Sequence, residues 1–181
     1  MQDIEKVRQL IARSDPEELL DKAYEAGFRY ERDYHGCAQA LVGSMHEALG
    51  IEDAAVFRAA SGLGGGIGLS CLGVCGGLSG GAMILGQLYG RTRQDIDDKE
   101  GKRMVAYKLA SDLFERYQKK YKTAVCSEIQ KQVFGRTFDL RKTEDFQTLI
   151  DMGGHSHVCP DVVGNAARMT LEVILDHESQ K

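Results

Sequence analysis

Residues 59–90 read AASGLGGGIGLSCLGVCGGLSGGAMILGQLYG, an uncharged stretch that lies between Arg58 and Arg91. It holds 12 of the chain's 21 glycines, together with Cys71 and Cys75. Glycine loses more conformational entropy on folding than any other residue, so a dense run of it implies positive φ angles or close approach of the backbone to another group. We therefore expect this stretch to lie at the centre of the protein.

The sequence around this stretch predicts helices. Ser14, three residues before Glu17, is typical of a capping box and predicts the start of the second helix. No segment alternates apolar and polar residues as a half-buried strand does. We therefore predict an all-α, single-domain helical bundle over residues 1–181, in which a glycine-rich loop leads into a central buried helix. Apolar residues recur at helical spacing in roughly these segments: 3–13, 14–32, 36–49, 52–60, 75–90, 95–122, 126–134, 144–151 and 160–174.

Composition argues against several classes of partner. The net charge is −4, from 23 basic and 27 acidic residues, so we expect no nucleic-acid binding, which requires clustered Lys and Arg. Glycine, serine and cysteine interrupt every window of residues 59–90, so we expect no membrane span. The N-terminal residues are charged throughout and contain no apolar signal region, which favours a cytoplasmic location. The glycine loop also lacks the spacing and the lysine of a phosphate-binding loop.

The cysteines share a position in the predicted secondary structure. Exposed N–H groups and the positive end of the helix dipole stabilise a thiolate, which is the form that binds metals and reacts in redox chemistry. His35 and His157 each precede one of these cysteines by two residues and supply candidate bases or ligands. Any one such cysteine is also compatible with a small buried core residue. Four cysteines lie at or near predicted helix starts: Cys37, Cys75, Cys126 and Cys159.

Three motifs carry a resemblance to a known family. They are GCAQALVGSM at residues 36–45, ASGLGGGIG at 60–68 and CGGLSGG at 75–81, and two isolated cysteines follow them. Over roughly residues 30–175 the chain resembles the family of redox-active proteins named for its C-GCAxxG-C-C pattern. A similar module occurs in split-Soret cytochromes c, where it is associated with an iron-sulfur centre. The chain departs from the pattern at Cys71, which is extra, and at Gly77, where the family often has alanine.

The resemblance implies a redox or electron-transfer protein that binds an iron-sulfur cluster. Because the chain has no CxxCH motif, the haem part of the comparison does not apply. An electron-transfer partner and a homodimer are also expected. The resemblance assigns four cysteines as cluster ligands: Cys37, Cys75, Cys126 and Cys159. Additional candidate ligands are Cys71, His35 and His157, and the backbone expected to line the cofactor is that of Gly64, Gly65, Gly66 and Gly76.

Three other hypotheses fit the same residues. In the first, no metal is bound and Cys71 and Cys75 form a catalytic dithiol, although three residues separate them instead of the two of thioredoxin-like motifs. In the second, cysteine and histidine side chains form a structural zinc site, without the usual paired spacing. In the third, the protein is a non-catalytic helical binding module whose cysteines belong to the core. Iron and sulfide analysis separates the first hypothesis from cluster binding.

Overall fold

The computed structural model describes residues 2–181. This part of the chain is 73% helical and contains nine α-helices and no β-strand, which confirms the all-α prediction. None of these helices combines the length and the apolarity that a membrane span requires. The helices are α1 (Gln2–Ala12), α2 (Pro16–Tyr34), α3 (Cys37–Leu49), α4 (Ala54–Ala59), α5 (Gly76–Tyr89), α6 (Lys102–Tyr121), α7 (Cys126–Phe134), α8 (Thr143–Asp151) and α9 (Cys159–Ser179).

Two predicted helix starts were wrong. The cap of α2 is Asp15, whose carboxylate accepts a hydrogen bond from the Glu18 amide at 3.1 Å, so the start lies one residue beyond Ser14. Helix α6 begins at Lys102, since turns occupy residues 94–97 and 99–100 where the sequence predicted helix. The helical spacing of this segment also predicts that Phe114 faces inward, but its side chain is 42% exposed.

Helix α5 is the central buried helix that the sequence predicts. Gly80 faces α3, where an added Cβ would lie 2.8 Å from the Ala38 carbonyl oxygen. Gly81 faces α9 and α6, where an added Cβ would lie 2.5 Å from Thr170 Oγ1 and 2.8 Å from Leu113 Cδ2. Because these glycines have no side chain, three helices pack directly on the α5 backbone.

Helices α2 and α9 form the most extensive helix pair and run antiparallel. Gly27 lies against Ala167, to whose Cβ an added Cβ would approach within 3.0 Å. Nearer the start of α2, Asp21 accepts a hydrogen bond from Arg168 at 2.7 Å. This antiparallel packing brings the last turn of α2 to the first turn of α9, where Cys159 lies.

Candidate functional site

The glycine-rich loop forms a left-handed turn. Five successive residues, 65–69, have positive φ, and Cys71 follows with φ +61°. The Cys71 amide donates a hydrogen bond to the Gly65 carbonyl oxygen at 3.0 Å, which closes the turn. L-residues with a side chain are strained in this conformation, so Ile67 and Leu69 hold it only because the surrounding glycines and contacts fix it.

Hydrogen bonds attach this loop to α3 and to the start of α7. The Gly65 amide donates to Cys37 Sγ at 3.4 Å. Val74 and Val125 form an isolated antiparallel bridge, in which the Cys75 amide donates to the Ala124 carbonyl oxygen at 2.8 Å. Just beyond it, the Cys126 amide donates to the Gly73 carbonyl oxygen at 2.9 Å. These hydrogen bonds hold Cys37, Cys75 and Cys126, which are far apart in sequence, next to the same loop.

Four cysteines line a single cavity of about 100 Å³. Each lies at the start of a different helix, as predicted: Cys75 caps α5, and the others are the first residues of α3, α7 and α9. The remaining wall is mostly apolar and therefore excludes water. Its lining consists of Cys37, Cys75, Cys126 and Cys159, the polar residues Glu31, Gln130 and His155, and Gly36, Gly64, Gly65, Leu69, Ile129, Val133, Phe134, Leu140, Phe146, Leu149, Val162 and Val163.

The ionisation of these four thiols differs from the sequence expectation. Burial raises the pKa of Cys37, Cys75 and Cys159 above the ordinary cysteine value. A hydrogen bond with Cys71, together with burial, likewise raises the pKa of Cys126. The expectation that helix starts would hold thiolates was therefore wrong for the protein alone, because desolvation exceeds the stabilisation by the helix N-termini.

Cys71 is fully buried and is paired with Cys126. The Gln130 side chain donates from Nε2 to Cys71 Sγ at 3.2 Å and to Cys126 Sγ at 3.8 Å. The Phe138 amide donates to Gln130 Oε1 at 3.0 Å, which fixes the amide with its N–H groups toward the sulfurs. The hydrogen bond from Cys126 lowers the pKa of Cys71 to about 6. The dithiol hypothesis from the sequence had instead paired Cys71 with Cys75.

The hydroxyl of Tyr117 faces Cys75 from α6. This hydroxyl is buried and has no partner of ordinary hydrogen-bond geometry. Its interaction with Cys75 opposes the effect of burial and lowers the pKa of that thiol, although burial dominates. Helical spacing predicts that Tyr117 faces the core. It cannot show that the tyrosine hydroxyl lies beside a cysteine sulfur, so sequence reasoning gave Tyr117 no role at the site.

Glu31 is the second polar residue that sequence reasoning missed. Its side chain is 4% exposed, Oε2 has no hydrogen-bond partner, and burial raises the pKa of the carboxyl to about 8. The signal was present in the sequence, since Ala23, Gly27 and Glu31 follow one another at intervals of four on the inner face of α2. Sequence reasoning named Ala23 and Gly27 on the inner face of this helix and did not name Glu31.

The histidines are placed differently from the prediction. His155 lines the cavity, and burial lowers its pKa. The ring of His35 stacks on that of His155 with 4.2 Å between centroids, so the predicted His35 lies beside the cavity. His157 is exposed and its Nδ1 lies 2.8 Å from Ser156 Oγ, away from the cavity.

The four predicted glycines all contact the cysteine site. Gly64 and Gly65 line the cavity. An added Cβ on Gly66 would approach Cys126 Cβ within 2.6 Å, and one on Gly76 would overlap Cys37 Sγ. Gly66 and Gly76 therefore allow cysteine side chains to pack against the backbone.

The arrangement does not form a site for one metal ion. Within residues 2–181, no group of three or more His, Cys, Asp or Glu side chains surrounds a point where a single ion would be bound. A structural zinc site holds four such ligands within about 2.0–2.3 Å of the ion. The described residues therefore do not support the zinc hypothesis.

Comparison with known proteins agrees with the pattern of cysteines and glycines. The family model described as "Putative redox-active protein (C_GCAxxG_C_C)" matches residues 35–173, which is more than half of the chain. The chain belongs to this family. It is accordingly a cysteine-containing protein of a redox-active family, and the matched range includes all five of its cysteines. Comparison with curated proteins and with solved structures gave no match.

Proposed function

We propose that the protein is a redox or electron-transfer protein that holds an iron-sulfur cluster through Cys37, Cys75, Cys126 and Cys159. One observation carries the proposal: cysteines from the starts of four helices line the same cavity. Cysteines used only as core residues have no reason to converge in this way.

The charge and shape of the cavity fit such a cluster. The four thiols have raised pKa values, and a positively charged iron centre would favour their ionised form. An unpartnered carboxyl oxygen of Glu31 and the glycine backbone at Gly65 complete a surface suited to iron and sulfur. A cluster joins its cysteines to different iron atoms, so its ligands lie further apart than those of a single ion. When bound, it would accept and release single electrons.

The chain itself would tune that centre through hydrogen bonds and exclusion of water. The Gly65 amide donates to Cys37, the Tyr117 hydroxyl faces Cys75, and the Gln130 amide donates to Cys126. Hydrogen bonds to sulfur and burial are among the factors that set the reduction potential of a cluster. The apolar lining would keep water away from the iron.

The glycine-rich loop would be the side on which an electron-transfer partner docks. Leu69 lines the cavity and is also 40% exposed, so only this loop separates the cavity from solvent there. Ile67 and Leu72 add exposed apolar area beside it, with 57% and 74% exposure. The expected homodimer and cytoplasmic location stay part of this proposal.

Anaerobic purification with iron and sulfide analysis tests the cluster. The wild-type chain should be brown, with visible charge-transfer absorption, and Cys75→Ser should lose both the colour and the iron. Cys71→Ser is the matched control and should retain them, because Cys71 does not line the cavity. A colourless, iron-free wild-type chain with full helicity would contradict the proposal.

A dithiol function is the second candidate, and the structure favours Cys71 with Cys126 for it. Both sulfurs accept a hydrogen bond from the Gln130 amide, and interaction with Cys126 lowers the pKa of Cys71 to about 6. In the reaction, the Cys71 thiolate attacks a small-molecule disulfide, and the Cys126 thiolate then displaces the second thiol. The result is one S–S bond in the protein and two reduced small-molecule thiols, so two electrons leave the protein.

Mass spectrometry after treatment with oxidised glutathione tests this candidate. We expect a loss of two hydrogens per chain and a peptide that links Cys71 to Cys126. Cys126→Ser should instead retain a mixed disulfide at Cys71. A link between Cys71 and Cys75, or no link at all, would argue against the assigned pair.

A further inference from the structure

A carboxyl group is buried beside the cysteine cavity with nothing to neutralise it. Glu31 lines the cavity with 4% exposure, and its Oε2 has no hydrogen-bond partner. Of the described residues around the cavity, none is a lysine or an arginine. A buried carboxyl without a counter-charge costs several kcal/mol or changes its protonation, and a metal ion held in the cavity would supply the missing positive charge.

Backbone contacts fix where this carboxyl lies. The Glu31 carbonyl oxygen accepts hydrogen bonds from the His35 amide at 3.1 Å and from His35 Nδ1 at 3.0 Å, which ends α2 two residues before Cys37. His35 in turn stacks on His155, four residues before Cys159. The end of α2 is thus held between the starts of α3 and α9. Glu31 therefore lies with Cys37 and Cys159.

Cys126 lies on a different part of the cavity wall. It is the first residue of α7 and interacts with Gln130 and Cys71. Neither of these two residues forms a hydrogen bond with Glu31. The polar side chains in and beside the cavity thus divide into two groups. One contains Glu31 with Cys37 and Cys159, and the other contains Cys126 with its two partners.

We infer that Glu31 is an oxygen ligand of the iron-sulfur centre, and that it holds the centre together with Cys37, Cys75 and Cys159 while the reduced Cys126 thiol keeps its contacts with Gln130 and Cys71. Three thiolates and one carboxylate carry the same charge as four thiolates, so the exchange leaves the charge of the ligand set unchanged. The inference rests on the proposed cluster. It assigns a function to the only carboxylate that lines the described cavity.

The test compares variants after anaerobic reconstitution with ferrous iron and sulfide. Cys126→Ala should retain iron and sulfide, whereas Cys126→Ala with Glu31→Gln should bind iron roughly tenfold less tightly or worse. Cys126→Ala with Glu25→Gln is the matched control, because Glu25 is exposed on the same helix, and it should behave as Cys126→Ala does. Circular dichroism of each metal-free chain checks that helicity is retained.

The single variant Glu31→Gln supplies an independent readout if the double variant does not fold. Its loaded form should show a changed Mössbauer signal for one iron, since Gln keeps the shape of Glu but not its charge. Three results would overturn the assignment of Glu31 as a ligand: equal iron retention with and without Glu31, an unchanged spectrum, or complete loss of iron in Cys126→Ala. None of them would contradict the proposal that the wild-type chain binds a cluster. A wild-type chain that takes up no iron would overturn the cluster and the ligand assignment together.

Discussion

The backbone amide of Gly65 donates a hydrogen bond to Sγ of Cys37 across 3.4 Å. This contact joins the left-handed glycine loop to the first residue of α3, 28 positions earlier in the chain. Gly76, the first residue of α5, packs against the same sulfur from another side. The position of Cys37 is therefore set by two backbone segments of residues 59–90, and not by its own helix alone.

Gly76→Ala should displace Cys37 and destabilise the fold. The added Cβ would overlap Cys37 Sγ and lie 2.9 Å from the Ala38 amide nitrogen, and overpacking of this kind costs about 1–3 kcal/mol. Gly86→Ala on the same helix is the control, since its Cβ would meet nothing within 4 Å and should stabilise α5 by up to about 1 kcal/mol. Urea denaturation measures both. Equal effects of the two variants would contradict the assigned contact.

The Cys71 thiol should ionise at unusually low pH in the metal-free protein. Its pKa is about 6, chiefly because Cys126 hydrogen-bonds to the thiolate. Thiolate absorption in the ultraviolet should therefore rise with a midpoint near that pH, and Cys126→Ala should move the midpoint up toward the ordinary cysteine range. Cys159→Ala should leave it in place. An acidic midpoint that persists without Cys126 would assign the low pKa to another cause.

Glu31 should make the metal-free protein less stable as pH rises. Its pKa is about 8 in the folded chain against an ordinary value of 4.5, so the folded state binds the proton more tightly. Below pH 4.5 Glu31 is protonated in both the folded and the unfolded chain, so it does not change the free energy of unfolding. Between pH 4.5 and about 8 the carboxyl ionises more readily in the unfolded chain, so the free energy of unfolding falls as pH rises. The cost across that window is on the order of 5 kcal/mol at its upper limit.

The variant Glu31→Gln isolates this contribution from other titrating groups. Its free energy of unfolding, relative to that of the wild type, should increase from pH 5 to pH 8. Denaturant unfolding at both pH values measures the difference. A constant difference between Glu31→Gln and wild type would show that Glu31 titrates normally in the folded chain.

Tyr117→Phe should change the chemistry of Cys75 more than the stability of the fold. The hydroxyl faces Cys75 and has no other partner of ordinary geometry, so its removal should alter the free energy of unfolding by less than about 1 kcal/mol. In the loaded protein the hydroxyl would lie beside the Cys75 sulfur, and its removal should lower the reduction potential of the centre. Tyr107→Phe, at an exposed position of the same helix, should leave the potential unchanged. An unaltered potential in Tyr117→Phe would remove this residue from the site.

Local sequence was enough for most of the helices and for the cysteine positions on them. Gly50 and Gly135 end α3 and α7 with positive φ, as their places in the sequence predicted. The glycines of α5 likewise predicted a buried helix, because such a helix is stable only when neighbours press on its backbone. The cap of α2 was predicted one residue too early, because Ser14 and Asp15 are adjacent and both residue types suit that position.

The contacts among the cysteines could not be predicted in the same way. Cys71 and Cys75 are neighbours in sequence, but the left-handed turn and the bridge at Val74 direct Cys71 to Cys126. Glu31 follows Gly27 at a spacing of four on α2, but this spacing alone does not show that its carboxyl faces the cysteine cavity. Burial also reversed the expected ionisation of the helix-start thiols, which no local pattern indicates.

The sequence by itself determined the all-α class, the central glycine-rich helix and the placement of four cysteines at helix starts, because these depend on short-range periodicity, capping and the absence of side chains. Tertiary structure alone decided that those cysteines share a cavity, that Cys71 pairs with Cys126 and that Glu31 has no counter-charge. Those properties depend on distances between residues far apart in the chain, and on the desolvation that arises only when the helices pack.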